Sequence, residues 1–245
     1  MKINVFLTHN NSDELYFNGL TVAVIDVLRA TTTISAALIN GAKEVIPVSS
    51  IEFAMKLSGS HTLLGGERHT KKIEGFSLGN SPCEYTEDIV KNKSIIIYTT
   101  NGSKAIVKAK FAKTVICCSF ANLEISAKYL LSLGTDIEIV CSGNNGMFSL
   151  EDAVCAGMLI SEISKLREDI SLNDGGNAAF ILAKQYSKKV LKMLQECDHG
   201  KVLAENGFVD DLKFAAKLNS IEAIPVFDSS SIKLLPNSVI ETLRT

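Results

Sequence analysis

The chain has 245 residues, 46% of them hydrophobic and 21% charged, a composition that supports a full-sized globular core. Lys and Arg number 25 against 27 Asp and Glu, a formal net charge of -2. With no basic surplus, neither nucleic acid nor an anionic membrane is an expected partner.

The opening MKINVFLTHNNSDELYF has an apolar run too short for a signal-peptide core. No later run reaches the roughly 18 residues needed to cross a bilayer, so the expected location is cytoplasmic. Strand-like runs follow in order over 3–7, 22–25, 44–48, 62–64, 94–98, 114–118, 137–141 and 223–227. Helical patterns lie between them at about 32–40, 51–57, 103–111, 123–133 and 150–167, and residues 150–220 read as mostly helical. Continuous apolar strands alternating with helices predict an α/β fold, three-layer α/β/α with a largely parallel or mixed sheet. The helical C-terminal quarter is expected to form a cap or second lobe. We read residues 1–245 as a single domain, with two lobes meeting near 145–150 as the alternative. Pro47 and Pro225 are expected at edge strands or strand ends, because proline cannot donate to a ladder. The six cysteines, at 83, 117, 118, 141, 155 and 197, form no CxxC pair and no finger spacing, which argues against a disulfide framework or a zinc site.

Ligands in such folds collect where strands end and helices begin. This chain places DVLRATTT after VAVI, GGERHTKKIEGFSLGNSPCEY after TLL, TTNGSKA after SIIIY, SFANLE after TVICC, and CSGNNGMFSLEDA after IEIV. The set is rich in Gly, Asn, Ser and Thr, with Asp26, Arg29, Glu67, Arg68, Glu151 and Asp152 as its charged members. Structural readings compete: Asp26 as a helix N-cap, Ser149 with Asp152 as a capping box, TTNG as a turn, Arg68 as a solvated cation. Five successive strand ends with groups suited to anions or hard metals favour a site. Several templates are excluded by residue type. The second acid of a haloacid-dehalogenase DxD is replaced by Leu28, and Met147 stands where a cysteine phosphatase needs arginine after Cys141. Walker, dinucleotide-binding and Gly-x-Ser-x-Gly motifs do not occur.

As a set, IDVLRATTT, LGGER, GFSLGNSP, TTNGS, SFAN, CSGNNGMFSLEDAVCAG and DHGKVLAENGFVDDL resemble the 2-phosphosulfolactate phosphatases, magnesium-dependent acid phosphatases associated with coenzyme M synthesis. The likeness runs from about residue 20 to about residue 228. It implies hydrolysis of (2R)-phosphosulfolactate to sulfolactate and phosphate, with Mg2+ as cofactor. The alternatives are a phosphatase for another small acidic monoester and a non-catalytic phosphometabolite-binding protein. On residue chemistry and motif position, Arg29 and Arg68 are expected to meet phosphoryl oxygens as bidentate forks. Asp26, Glu67 and Asp152 are the expected Mg2+ ligands, with Glu151 as substitute. Asn80, Ser81, Asn101, Gly102, Ser103, Asn122, Ser142 and Gly143 are candidate substrate contacts, aided by helix N-termini after TTNGS and GNNGMFS. His199 is the candidate proton donor to the leaving alkoxide. Whether Asp26 attacks phosphorus or holds the metal stays open, the metal route being favoured because no second acid stands beside Asp26. A homodimer is the expected assembly.

Overall fold

The computed structural model describes residues 1–11, 13–228 and 230–244. Among these, eleven strands join in one sheet. They are β1 (Lys2–Phe6), β2 (Thr21–Ile25), β3 (Glu44–Val48), β4 (Thr62–Arg68), β5 (Lys71–Lys72), β6 (Ser94–Tyr98), β7 (Thr114–Cys118), β8 (Ile137–Cys141), β9 (Ser171–Leu172), β10 (Pro225–Asp228) and β11 (Ser231–Leu234). Their order is β5-β4-β6-β3-β11-β10-β7-β2-β8-β1-β9. One parallel block, β4-β6-β3, and another, β7-β2-β8-β1-β9, are joined by the antiparallel β10–β11 hairpin. The fold is thus mixed α/β with a mostly parallel sheet, as expected. All eight anticipated strands are present.

Two details differ from expectation. The run at Thr62 continues through the glycines to Arg68, because Gly66, at φ +132°, lies where any Cβ would collide with the Tyr98 carbonyl. The strand at the C-terminal end starts at Pro225 and is antiparallel, pairing with β11, whose short length and two polar residues hid it in the sequence. Pro225 opens its strand as anticipated. Pro47 lies within β3, past Val45, the residue paired with β11.

Strand alternation divides the core between the two faces of the sheet. Ala23 and Ile25 of β2, Ile116 and Cys118 of β7, and Ile137, Ile139 and Cys141 of β8 join one cluster with the helices Leu123–Ser132 and Leu150–Leu166. Val22, Val24, Val115, Cys117 and Val140 join the other with Ile34, Ala37 and Leu38 of the helix Ala30–Ile39. All five residues of β2 are buried, as a strand covered on both faces requires. The later helices pack into the first cluster through Ala179, Met193, Leu203 and Leu212. Their route carries His199 and Asp211 back toward the ends of β2 and β4. No helix among the described residues is long and apolar enough to cross a membrane.

Candidate active site

The carboxyl ends of β2, β4 and β6 open into a crevice of about 230 Å³ lined by Asp26, Arg29, Glu67, Asn80, Asn101 and His199, together with Thr70, Thr99, Thr100, Asn144 and Asn145. Asp26 is the residue after β2, and Ser142, the residue after β8, donates its N–H to the Ile25 carbonyl at 2.8 Å. The neighbouring parallel strands therefore deliver their first polar residues to one place.

The threonines after Asp26 serve the backbone. Thr31 Oγ1 lies 2.8 Å from both the Asp26 and Cys118 carbonyl oxygens and accepts the Asp26 N–H at 3.0 Å. Thr32 Oγ1 donates to the Val27 carbonyl and Thr33 Oγ1 to the Asn80 carbonyl, each at 2.8 Å. These bonds satisfy buried groups that would otherwise cost about 1–3 kcal/mol each. They also tie the loop carrying Asn80 to the start of the helix.

Asp26 combines the capping and site readings. Its Oδ1 accepts the Ala30 N–H at 3.1 Å, and its Oδ2 packs against Gly102, where a Cβ would overlap it. Gly102 is thus the floor beneath the carboxylate. Burial raises the Asp26 pKa to about 6, with Glu67 and Glu151 nearby adding to the rise.

Arg29 does not stand free as a fork for anions. It is 3% exposed, and its NH1 is 2.7 Å from Asp211 Oδ2. NH2 donates to the Thr70 carbonyl at 3.1 Å, and the guanidinium carbon sits 4.3 Å from the centre of the Phe208 ring. The other oxygen of Asp211 accepts the Ser81 hydroxyl at 2.5 Å. Arg68, by contrast, is exposed and does not line the crevice, because it follows Glu67 on β4 and side chains alternate.

Several expected contacts support the site from behind. Ser103 Oγ donates to the Val48 carbonyl at 2.8 Å and its N–H is capped by Thr99 Oγ1. Asn122 is bound to the Ser119 N–H and to the Cys117 and Ala223 carbonyls. Ser142 and Gly143 donate to Asp152 Oδ2 at 3.0 Å, while Oδ1 accepts the Val27 N–H at 2.9 Å. Asp152 therefore bolts the loop after β8 to the loop after β2. The Ser149 cap is also present, accepting the Asp152 N–H, so one N–H of that helix N-terminus is already engaged.

The expected metal ligands separate in the same way. Glu67 has both oxygens committed to backbone, Oε1 to the Thr100 N–H and Oε2 to the Thr70 N–H, each at 2.8 Å. Asp152 is likewise committed, and burial with Asp26 and Glu151 beside it pushes its carboxyl well up. Asp26 lines the crevice, Glu151 of the adjoining cavity lies near enough to add to the raised pKa of Asp26, and Asn80 Oδ1 and Thr100 Oγ1 are buried without a partner. Among the described residues, no group of three or more His, Cys, Asp and Glu converges as a metal cage. Mg2+ is usually held by one or two carboxylates plus water and substrate phosphate, so this oxygen-rich donor set fits it.

His199 stands between the crevice and an adjoining cavity of about 560 Å³ lined by Glu151, Cys197, Met147 and Phe148. Burial lowers its pKa, opposed by Glu151 and by a hydrogen bond to the Leu28 backbone. Sequence reasoning missed Asn144, Asn145, Thr70 and Asp211. Asn144 and Asn145 lay in plain view within GNNG, next to the residues singled out. Asp211 lies 182 positions from Arg29, and no spacing rule joins them.

The family model described as 2-phosphosulpholactate phosphatase matches residues 6–230. A protein of Clostridium perfringens (strain 13 / Type A) named "Probable 2-phosphosulfolactate phosphatase" is 39% identical over 99% of this chain and 100% of its own length. Proteins of the same name from Clostridium botulinum (strain Eklund 17B / Type B) and Symbiobacterium thermophilum are 35% and 40% identical, covering 95% and 89% of this chain and 99% and 95% of their own.

Proposed function

The chain belongs to the 2-phosphosulfolactate phosphatase family of phosphoric monoester hydrolases, and from that premise we propose that its crevice hydrolyses (2R)-phosphosulfolactate to sulfolactate and phosphate with Mg2+ bound. The observation that carries the reading is Asp26. It is a buried carboxyl, its pKa raised to about 6, on a glycine floor at the end of a central strand, in one crevice with Arg29 and His199.

Asp26 and Glu151 would hold the ion, with the unpartnered Asn80 Oδ1 as a further oxygen ligand. The chemistry that Mg2+ supplies when bound is neutralisation of charge at the phosphoryl oxygens. Asp26 is fixed through Oδ1, which leaves Oδ2 to orient the attacking water. The remaining N–H groups of Arg29 bind the phosphoryl oxygens. Asn101 accepts the Asn145 N–H at 3.2 Å through Oδ1, which turns its amide N–H groups outward to donate to the same oxygens. His199, held by the Leu28 backbone, gives a proton to the leaving alkoxide, and its lowered pKa confines that role to acidic solution. The same reading places the reaction in the cytoplasm, in a route to coenzyme M, with a homodimer as the working unit.

Phosphate release from (2R)-phosphosulfolactate and from an aryl phosphate, each with Mg2+ and with EDTA, tests the proposal. Fast release from the sulfolactate ester with Mg2+ and loss of it with EDTA are expected. Preference for another small acidic monoester would keep the chemistry and replace the substrate. Silence with every ester would leave a phosphometabolite-binding protein.

A further inference from the structure

We infer that Asp211 is a positioning residue that sets the plane of the Arg29 guanidinium at the expense of ground-state affinity for anions, an inference that rests on the phosphatase reading of the crevice. Three groups hold that guanidinium. Asp211 Oδ2 takes NH1 at 2.7 Å, the Thr70 carbonyl takes NH2 at 3.1 Å, and the Phe208 ring covers one face at 4.3 Å. Asp211 is itself locked, because its Oδ1 accepts the Ser81 hydroxyl at 2.5 Å. Both partners of the ion pair are nine-tenths or more buried, with side chains 2% and 3% exposed, so the pair is shielded from solvent screening.

This arrangement has two opposed effects. A guanidinium tied at two nitrogens and stacked on a ring cannot swing, so its remaining donors keep one geometry as charge develops on the phosphoryl oxygens. The paired carboxylate also cancels most of the field that would draw an anion into the crevice. Asp26 and Glu67 line the same crevice, which makes that cancellation costly for substrate capture. Among the described residues the other basic groups lining the crevice are the imidazoles of His69 and His199, and a device that only stabilised the fold would not need to sit on the one guanidinium there. Orientation in exchange for affinity is what differential transition-state binding requires.

The test is Asp211→Asn, which keeps the shape and removes the charge, measured for turnover and for binding of inorganic phosphate by calorimetry. The structure predicts opposite movements. The kcat falls about 10- to 100-fold as the guanidinium loses its fixed plane, while phosphate binds about tenfold more tightly as one buried negative charge disappears. A merely structural Asp211 would weaken both. Parallel loss of turnover and phosphate affinity, or unchanged turnover, overturns the inference.

Removing one partner of a buried pair can unfold a protein. Ser81→Ala is the second variant, because it loosens Asp211 with the charge retained. It should lower kcat severalfold with phosphate affinity within about twofold of the parent. Unchanged kcat in that variant counts against the inference. Should the parent protein hydrolyse no ester, the proposed function fails, and the phosphate arm alone still decides here. Tighter binding by Asp211→Asn supports the inference, and equal, weaker or absent binding overturns it.

Discussion

The five residues of β2 and the eight that follow them, 26–33, are all buried, and they reach that state by opposite chemistry. Thr21–Ile25 presents mostly apolar surface to a core on each face, and each large side chain there adds about 1.5–3 kcal/mol. Residues 26–33 hold a carboxylate, a guanidinium and three hydroxyls in the same environment, each compensated separately. The threonines are compensated by carbonyls, Arg29 by Asp211, and Asp26 by the Ala30 N–H with the Ser142 hydroxyl nearby. Compensation is complete for the hydroxyls and incomplete for Asp26, whose pKa rises to about 6. The fold is thus stable up to the end of the strand and deliberately unfavourable one residue later, which is where a functional group belongs.

The largest expected effect breaks that contrast directly. Asp26→Asn should reduce turnover by at least ~10³-fold, as removal of a principal charge from a preorganised site does. The same variant should be more stable than its parent in metal-free buffer. The sign follows from the raised pKa. The native state holds its proton more tightly than the unfolded chain, so stability is fully present below pH 3.8 and is lost as pH rises through about 6. Above that window the carboxylate costs up to about 3 kcal/mol, from the difference between about 6 and 3.8 at 1.36 kcal/mol per pKa unit. Asparagine escapes the cost. Thermal melts of both proteins at pH 4 and pH 8 should coincide at the first and diverge at the second. Full activity with lower stability would identify Asp26 as a cap alone.

Next in size is Asp152→Ala. Three donors, the Val27 and Gly143 N–H groups and the Ser142 hydroxyl, lose their acceptor in a buried setting. At about 1–3 kcal/mol per orphaned group, partly offset by removing a crowded acid, we expect a net loss of about 2–5 kcal/mol in urea denaturation. Turnover should fall with it, because the loop carrying Asn144 and Asn145 begins at Gly143. A variant that kept its stability and lost only Mg2+ response would return Asp152 to the metal set.

The pH–rate profile comes third. Asp26 must be ionised to take up Mg2+ and His199 protonated to act, so at limiting Mg2+ the acid limb belongs to the group near 6 and the alkaline limb to a histidine held below 6.5. Rate should fall about tenfold per pH unit outside a narrow acidic optimum. His199→Gln should flatten the alkaline limb. A rate that climbs steadily through pH 8 would remove His199 as the proton donor.

What the chain made legible follows from range. The strands were readable because a doubly covered strand is a local apolar run, and the helices after them because of their period. Asp26, Arg29, Glu67, Asn80 and Asn101 were readable because strand ends are where such folds gather ligands, whereas His199, on the helix Asp198–Glu205, was readable only from the chemistry of its imidazole. What each side chain does was not. Arg68 and Glu67 are adjacent, and only alternation along β4, set by the sheet, decides which of them turns inward. Asp152 looked like a ligand because its carboxylate is in the right loop, yet its partners are backbone groups 125 and 9 residues away. Asp211 depends on a contact across 182 residues between the end of β2 and a helix packed late onto the sheet.

The smallest predicted effect completes the contrast from the apolar side. Ile139 on β8 is fully buried and pairs in register with Ala23 and Val5, and it lies in the same core cluster as Ile25. Ile139→Val removes one methylene from that core and should cost about 0.5–1.5 kcal/mol. Nothing that titrates is involved, so the loss should be equal at pH 4 and pH 8 and indifferent to Mg2+. The kcat of the folded fraction should stay that of the parent. A pH-dependent cost at Ile139 would mean that the strand and its polar end share one energy balance, and the division drawn at Ile25 would then have to move back into the sheet.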